Sequence, residues 1–351
     1  MLLALQLARK GEYSVSPNPM VGCVIVKNNK IIGEGWHMNS GEAHAEIYAL
    51  KQAGVEAQDA IAYVTLEPCC HYGKTPPCTL ALIKAGLKKI VIACEDPNPL
   101  VAGKGIAELK TAGIEVEVGL NKNEALKLNE IFCHFIKYNR PYVFAKWAMS
   151  LDGKTITNPS DSRKISHAQA DTVTHDLRHR VDAILVGANT ARKDNPLLTV
   201  RNTSQTSIKQ PIRIVLSNSL NLEFDLNIFD DCSMSNSIIA TTTIVTKAFQ
   251  KKCDSLNIKI LILRKNSEGQ VDLHHLLDEL GKQKISSLLV EGGMQTTNHF
   301  LKENLVNKVQ VFLSPVLIGS FDKKKILKDM EFYTLGKDVA FSVDLKGCEY
   351  V

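Results

Sequence analysis

The sequence predicts an α/β fold in two domains, on three observations. The chain has 351 residues, and at roughly 150 residues per domain that length suggests two domains. Short apolar runs alternate with segments whose apolar residues recur at helical spacing, the pattern of strands interleaved with helices. The alternation breaks at Asn139-Arg140-Pro141, where Pro141 disfavours helix at Arg140. The expected domains are therefore residues 1–140 and 141–351.

The elements follow in order. Met1-Leu2-Leu3-Ala4-Leu5 has no basic region ahead of it and runs into Arg9 and Lys10, so it starts an amphipathic helix and not a signal peptide. Val21 to Val26 is a strand, Lys27-Asn28-Asn29-Lys30 a turn cluster, and Ile31-Ile32-Gly33 resumes extended character, which predicts a hairpin. Residues 42–53 carry Ala43, Ile47, Leu50 and Ala53 on one helical face, closed by Gly54. Strands are expected at Ile61–Leu66, Ile90–Ala93 and Ile114–Val118. Helices are expected at Thr79–Ala85, at 104–112, and from an Asn121 cap to Tyr138. Parallel pairing is expected after the hairpin. In the second half, strands are read at Tyr142–Ala148, Val181–Val186, Ile212–Leu216, Ser237–Thr242, Ile258–Leu263, Ser287–Val290 and Val309–Leu313. Helices are read at 167–180, 272–283 and 295–304, and loops at 202–210 and 230–236.

Composition narrows the function classes. Hydrophobic residues make up 44% and charged residues 23%, which excludes disordered and fibrous readings. No apolar run approaches the roughly 20 residues that span a bilayer. The net charge is +5, divided as +1 over residues 1–140 and +4 over the remainder. The longest basic run is Lys323-Lys324-Lys325, so no nucleic-acid partner is expected. Nine cysteines, an odd number, in a chain without a secretion signal imply reduced thiols and a cytoplasmic location.

Three of those cysteines crowd into residues 69–78. With His44-Ala45-Glu46 upstream, Pro68-Cys69 and Pro77-Cys78 form the strongest chemical signal in the chain. An imidazole and two thiolates balance the charge of Zn²⁺ and leave a fourth place for water, whose pKa the metal brings to roughly 7. Glu46, two positions from His44, is placed to relay a proton to a leaving amine and not to bind the metal. Two other readings compete: buried core cysteines, or a closed structural zinc with Cys70 or His71 as fourth ligand. The second leaves Glu46 without a role.

The segment Thr65-Leu66-Glu67-Pro68-Cys69-Cys70-His71-Tyr72-Gly73-Lys74-Thr75-Pro76-Pro77-Cys78 resembles the zinc loop of the bacterial bifunctional riboflavin-biosynthesis deaminase/reductases. Ser16-Pro17-Asn18-Pro19-Met20-Val21-Gly22 and Asp96 to Gly103 match as well. The resemblance implies a cytidine-deaminase-like αβα sandwich. It would replace the 2-amino group of 2,5-diamino-6-(5-phosphoribosylamino)pyrimidin-4(3H)-one by oxygen, with Asn18, His37, His71 and Lys74 as substrate contacts. Cys70 stands where many relatives have serine.

The second half has no G-x-G-x-x-G, and Gly153-Lys154-Thr155 lacks the rest of a phosphate loop. Val290-Glu291-Gly292-Gly293-Met294-Gln295-Thr296-Thr297 is a strand, two glycines and a helix start, a junction suited to an anion or to a plain turn. Here too the resemblance decides. This segment, Lys146 to Lys154, and Val186 to Arg201 are similar to the reductase half, which implies a dihydrofolate-reductase-like α/β domain using NADPH to reduce the ribosyl group to ribityl. The implied nucleotide contacts are Ala148, Lys164, Thr190, Asp194 and Gly293, Met294, Gln295, Thr296, Thr297, Asn298 and His299. The implied substrate contacts are Ser162, Arg178, Leu198, Arg201 and Glu291. Lys164 replaces a common tryptophan, which keeps open a deaminase with an impaired reductase half. A nucleic-acid deaminase and a non-enzymatic zinc module are the remaining alternatives. The resemblance also implies a homodimer or homotetramer.

Overall fold

The computed structural model describes residues 1–73, 76–155, 168–201, 208–230 and 236–319, with the backbone of short strands inside 325–350. The chain divides into two compact units: Met1–Tyr142 with Leu277–Ser287, and Val143–Leu276 with Leu288–Val351.

The first unit runs α1 (Leu2–Arg9), β1 (Gly22–Lys27), β2 (Lys30–Trp36), α2 (Ala45–Ala53), β3 (Ile61–Val64), α3 (Cys78–Lys84), β4 (Lys89–Ile92), α4 (Lys104–Thr111), β5 (Glu115–Val118), α5 (Lys122–Leu128) and α6 (Glu130–Tyr138). Its sheet order is β2-β1-β3-β4-β5. β1 pairs antiparallel with β2 and β3, and β3, β4 and β5 pair in parallel, as the pattern predicts. Asn28 and Asn29 both take positive φ, 49° and 59°, the backbone of a two-residue hairpin whose twist suits its strands. Successive β1 side chains face opposite layers. Val24 packs with Ala4 and Leu7 of α1, while Cys23 and Ile25 join the larger core with Ala45 and Ala49 of α2.

The expected helix from Asn121 to Tyr138 is two helices. The buried Asn129 interrupts it, accepting from the Met20 amide at 2.8 Å and donating to the Met20 carbonyl at 2.9 Å. Asn121 makes no side-chain cap bond and lies in left-handed backbone.

From Tyr142 the chain runs β6 (Tyr142–Ser150), α7 (Ala168–Arg180), β7 (Ala183–Gly187), α8 (Ala188–Asp194), β8 (Ile212–Leu216), β9 (Ser237–Thr241), α9 (Lys247–Ser255), β10 (Ile258–Ile262), α10 (Leu273–Lys282), β11 (Ser287–Glu291), α11 (Met294–Lys302) and β12 (Lys308–Ser314). All seven expected strands join one sheet, ordered β10-β9-β8-β7-β11-β6-β12. β7, β8, β9 and β10 pair in parallel, as do β11 with β7 and β12 with β6. The sequence reading misses α8 and α9. The buried residue of α9 is Cys253 alone, so it carries no apolar stripe; the Thr246 hydroxyl caps it by accepting from the Phe249 amide. Of the expected loops, 202–207 and 231–235 lie outside the described residues, and 208–210 carry no helix or strand.

Close packing of α2 on the hairpin sets where the helix starts. A Cβ added at Gly35 would sit 2.2 Å from the Ala45 carbonyl and 2.7 Å from the Ala49 amide. Gly35→Ala is expected to destabilise the chain by about 2 kcal/mol, within the usual range for overpacking, read as a lowered denaturant midpoint.

Candidate active sites

Two helix starts and one loop build the first site. His44 is the N-cap of α2, in extended backbone. Cys78 opens α3, and Cys69 follows β3 in the intervening loop. The first turn of α3 fastens that loop, since the Thr79 amide donates to the Cys69 carbonyl at 3.2 Å, while the Thr79 hydroxyl donates to the Glu108 carboxylate at 2.8 Å. Cys78 Sγ lies 3.2 Å and Cys69 Sγ 3.5 Å from His44 Nδ1, and the three donor atoms lie within 4.8 Å of one another. Cys70 and His71 are outside this group; the Cys70 thiol faces the Leu100 carbonyl at 3.9 Å.

The electrostatics favour a cation. The Cys78 thiol, with the Cys78 amide and His44, holds the Cys69 thiol down to about 4 against the opposing effect of burial, while Cys78 is pushed up by its contact with Cys69 and by burial. His44 is raised, chiefly by its Cys69 partner. Glu46 is 3% exposed, burial pushes its carboxyl up, and its Oε2 has no hydrogen-bond partner among the described residues. One imidazole and two sulfurs, with an unpartnered carboxylate oxygen beside them, fit zinc with an open position.

Of the expected deaminase contacts, Asn18 and His37 pair directly. Asn18 Nδ2 lies 3.1 Å from His37 Nε2, and His37 Nδ1 lies 3.1 Å from the Ala43 carbonyl. Burial lowers the His37 pKa, so the ring is neutral, donating from Nδ1 and accepting at Nε2. It meets the His44 ring edge-on at 5.3 Å. His71 Nδ1 is buried without a hydrogen-bond partner among the described residues. Lys74 lies outside the described residues.

Sequence reasoning assigned no role to Glu67, although it stands inside the quoted zinc-loop motif. Its buried carboxylate accepts from the amides of Asp96, Gly103 and Ile106 at 3.1, 2.9 and 3.1 Å, which ties the chain just before Cys69 to the Asp96–Gly103 loop. Asp96 itself is pushed up to about 6, mainly by burial.

In the second unit a cavity of about 970 Å³ opens where β7, β8 and β11 end, at Gly187, Leu216 and Glu291. Carboxyl ends of parallel strands are where open α/β sheets take ligands. Among the expected contacts, Ala148, Thr190, Asp194, Gly293, Met294, Gln295, Thr296, His299, Arg178, Leu198 and Glu291 line it. Thr297, Asn298 and Arg201 do not: Thr297 is buried with its hydroxyl on the Gly292 carbonyl, and Arg201 bonds the Thr199 hydroxyl. Ser162 and Lys164 lie outside the described residues.

Arg178 grips Glu291 through two bonds of 2.8 and 2.7 Å and donates to the Thr199 carbonyl at 3.1 Å. Burial works to raise the Glu291 carboxyl, but the Arg178 fork overrides it and the net shift is downward. The Thr190 hydroxyl accepts from the Gly293 amide at 3.0 Å, closing the junction that the paired glycines announce. Lys146, 3.6 Å from Glu291, and Ser217, Asn218 and Ser219 beyond β8 also line the cavity. Sequence reading passed over them; the signal available was a polar run directly after a parallel strand. The cavity's size and position fit a dinucleotide with a small substrate.

Comparison with known proteins agrees with both sites. Residues 1–94 match the cytidine and deoxycytidylate deaminase zinc-binding region, and residues 141–349 match the RibD C-terminal domain. The riboflavin biosynthesis protein RibD of Aquifex aeolicus is 43% identical, covering 91% of this chain and 87% of its own length. That of Escherichia coli is 39% identical, covering 91% and 88%. Two solved structures superpose nearly throughout. Acinetobacter baumannii RibD has a TM-score of 0.81 at 37% identity, covering 97% of this chain and 96% of that one. The Thermotoga maritima diaminohydroxyphosphoribosylaminopyrimidine deaminase/5-amino-6-(5-phosphoribosylamino)uracil reductase has a TM-score of 0.80 at 33% identity, covering 95% of each. The expected architecture, a cytidine-deaminase-like domain followed by an α/β reductase domain, is thus the observed one, and the chain belongs to the RibD family of riboflavin biosynthesis proteins.

Proposed function

We propose that His44, Cys69 and Cys78 hold the zinc of the deaminase and that Glu46 moves its protons, in a domain of residues 1–140. The chain is a bifunctional enzyme of riboflavin biosynthesis, a deaminase and an NADPH-dependent reductase. Its first reaction exchanges the 2-amino group of the diaminopyrimidinone phosphate for oxygen and releases ammonia. Zinc, when bound, supplies a Lewis acid that brings a water's pKa to roughly 7. The observation that carries the assignment is the unpartnered Glu46 Oε2 beside the three converging donors. Because burial raises its carboxyl, Glu46 takes up a proton readily and passes it to the departing amine. The Asn18–His37 pair and His71 Nδ1 offer polar contacts to the pyrimidine, and Lys74 supplies a charge for the phosphate.

Residues 141–351 form the reductase domain in this reading. NADPH supplies the hydride that converts the ribosyl group of 5-amino-6-(5-phosphoribosylamino)uracil to ribityl. Gly293, Met294, Gln295, Thr296 and His299, with Ala148, Lys164, Thr190 and Asp194, hold the nucleotide. Arg178 and Glu291 orient the substrate against Leu198, with Ser162 completing the contacts. The resemblance supports a homodimer or homotetramer in the cytoplasm, acting on phosphorylated pyrimidines and on neither nucleic acid nor membrane. Among the described residues no helix is long and apolar enough to cross a membrane.

Purified chain supplied with the diaminopyrimidinone phosphate is expected to release ammonia and then oxidise NADPH, each followed separately. Glu46→Gln is expected to keep its zinc by metal analysis while ammonia release falls about 100- to 10,000-fold; near-normal turnover would remove Glu46 from the mechanism. Arg178→Lys, which loses the planar two-point grip on Glu291, is expected to lower kcat/KM for NADPH oxidation by about tenfold or more with ammonia release unchanged.

A further inference from the structure

Leu198, which lines the reductase cavity, has a left-handed backbone, φ 52°. Leucine avoids that conformation, because its Cβ crowds the following carbonyl. Such a residue persists where its surroundings over-determine it. The residue after it also matters, since the Thr199 carbonyl accepts from Arg178, the partner of Glu291.

Two side-chain amide clamps bracket this segment. Ahead of it, the Asn227 amide N–H donates to Asn195 Oδ1 at 2.7 Å, and Asn227 Nδ2 donates to the Asn195 carbonyl at 2.9 Å. Behind it, the Val200 amide donates to Gln210 Oε1 at 2.8 Å, and Gln210 Nε2 donates to the Val200 carbonyl at 3.0 Å. The front clamp uses two acceptors on Asn195 and the rear clamp a donor and an acceptor on Val200, so each holds the segment at two points and fixes position and rotation together. Neither Asn227 nor Gln210 lines the cavity.

The front clamp has its own foundation. Asn227 begins a turn of 3-10 helix whose next residues, Ile228 and Phe229, are buried. Arg213, 1% exposed in the middle of β8, donates to the Asp230 carbonyl at 2.9 Å and reaches the Asn227 carbonyl at 3.5 Å. The clamp is thereby referred to the central sheet.

We propose that Asn227 and Gln210 are positioning residues of the reductase, holding the 195–200 segment so that the Leu198 side chain and the Thr199 carbonyl meet the pyrimidine end of the cavity in register. The inference rests on the reductase reading above. It places the effect on the pyrimidine substrate and not on the nucleotide, because the clamped segment touches Arg178 whereas the glycine junction at Gly293 is held separately by Thr190.

The test measures steady-state NADPH oxidation, NADPH affinity by fluorescence, and ammonia release on the full chain. Asn227→Ala and Gln210→Ala are each expected to raise KM for the uracil substrate by about fivefold or more, with kcat and NADPH affinity within about twofold of the parent and ammonia release unchanged. Asn195→Asp keeps the accepting oxygen and is expected to match the parent. Asn195→Gly keeps the backbone freedom but loses the oxygen, and is expected to show the raised KM. A KM within twofold of the parent in both alanine variants overturns the inference, and so does a parallel loss of NADPH affinity, which would mean general loosening. A parent chain that oxidises no NADPH sinks the reductase reading as well.

Discussion

The first site is governed by a problem of charge. Two cysteine sulfurs and a glutamate carboxylate converge at the start of α2 and α3, with little water to separate them. Burial alone penalises each negative group, and each raises the cost of the next. A divalent cation between the sulfurs resolves the conflict, since an imidazole and two thiolates then sum with it to zero. The fold is arranged to keep the three donors together against their repulsion. Gly35 lets α2 press onto the hairpin, Thr79 fastens the loop that carries Cys69, and the Glu67 carboxylate secures the chain ahead of it through three amides.

The second site solves the converse problem. Its one buried carboxylate, Glu291, is met by the planar fork of Arg178, with Lys146 close by. Because two cations face one anion, the cavity keeps a positive balance for phosphorylated ligands. The first site therefore gathers anionic groups that a cation would balance, and the second surrounds the Glu291 carboxylate with cations. The separation matches the two chemistries, metal-assisted hydrolysis and hydride transfer.

Local features were legible in the sequence. His44-Ala45-Glu46 and the two Pro-Cys pairs point to the cluster that the structure brings together, because ligand type and spacing carry the chemistry directly. The seven strands of the larger sheet were legible because buried parallel strands read as short apolar runs. What could not be read depends on partners distant in the chain. The break between α5 and α6 comes from Asn129 reaching Met20, 109 residues away, which no helical periodicity encodes. The pairing of Arg178 with Glu291 spans 113 residues, so each looked like an independent ligand contact. Thr297 fell inside a glycine-led motif yet turns into the core, since a helix start presents only some of its residues to a ligand. The αL backbone at Leu198 has no sequence signal, because leucine gives no hint of it. The roles of Lys74, Ser162 and Lys164 rest on the resemblance alone.

The coordination of the metal tests the account most directly. X-ray absorption at the zinc edge on the purified chain is expected to give one zinc bound by two sulfurs, one imidazole nitrogen and one further light atom not belonging to an imidazole, as the His44, Cys69 and Cys78 cluster requires. A third sulfur, or a second imidazole, would mean that Cys70 or His71 closes the site. The water would then have no place, and the deaminase mechanism built on Glu46 would be wrong.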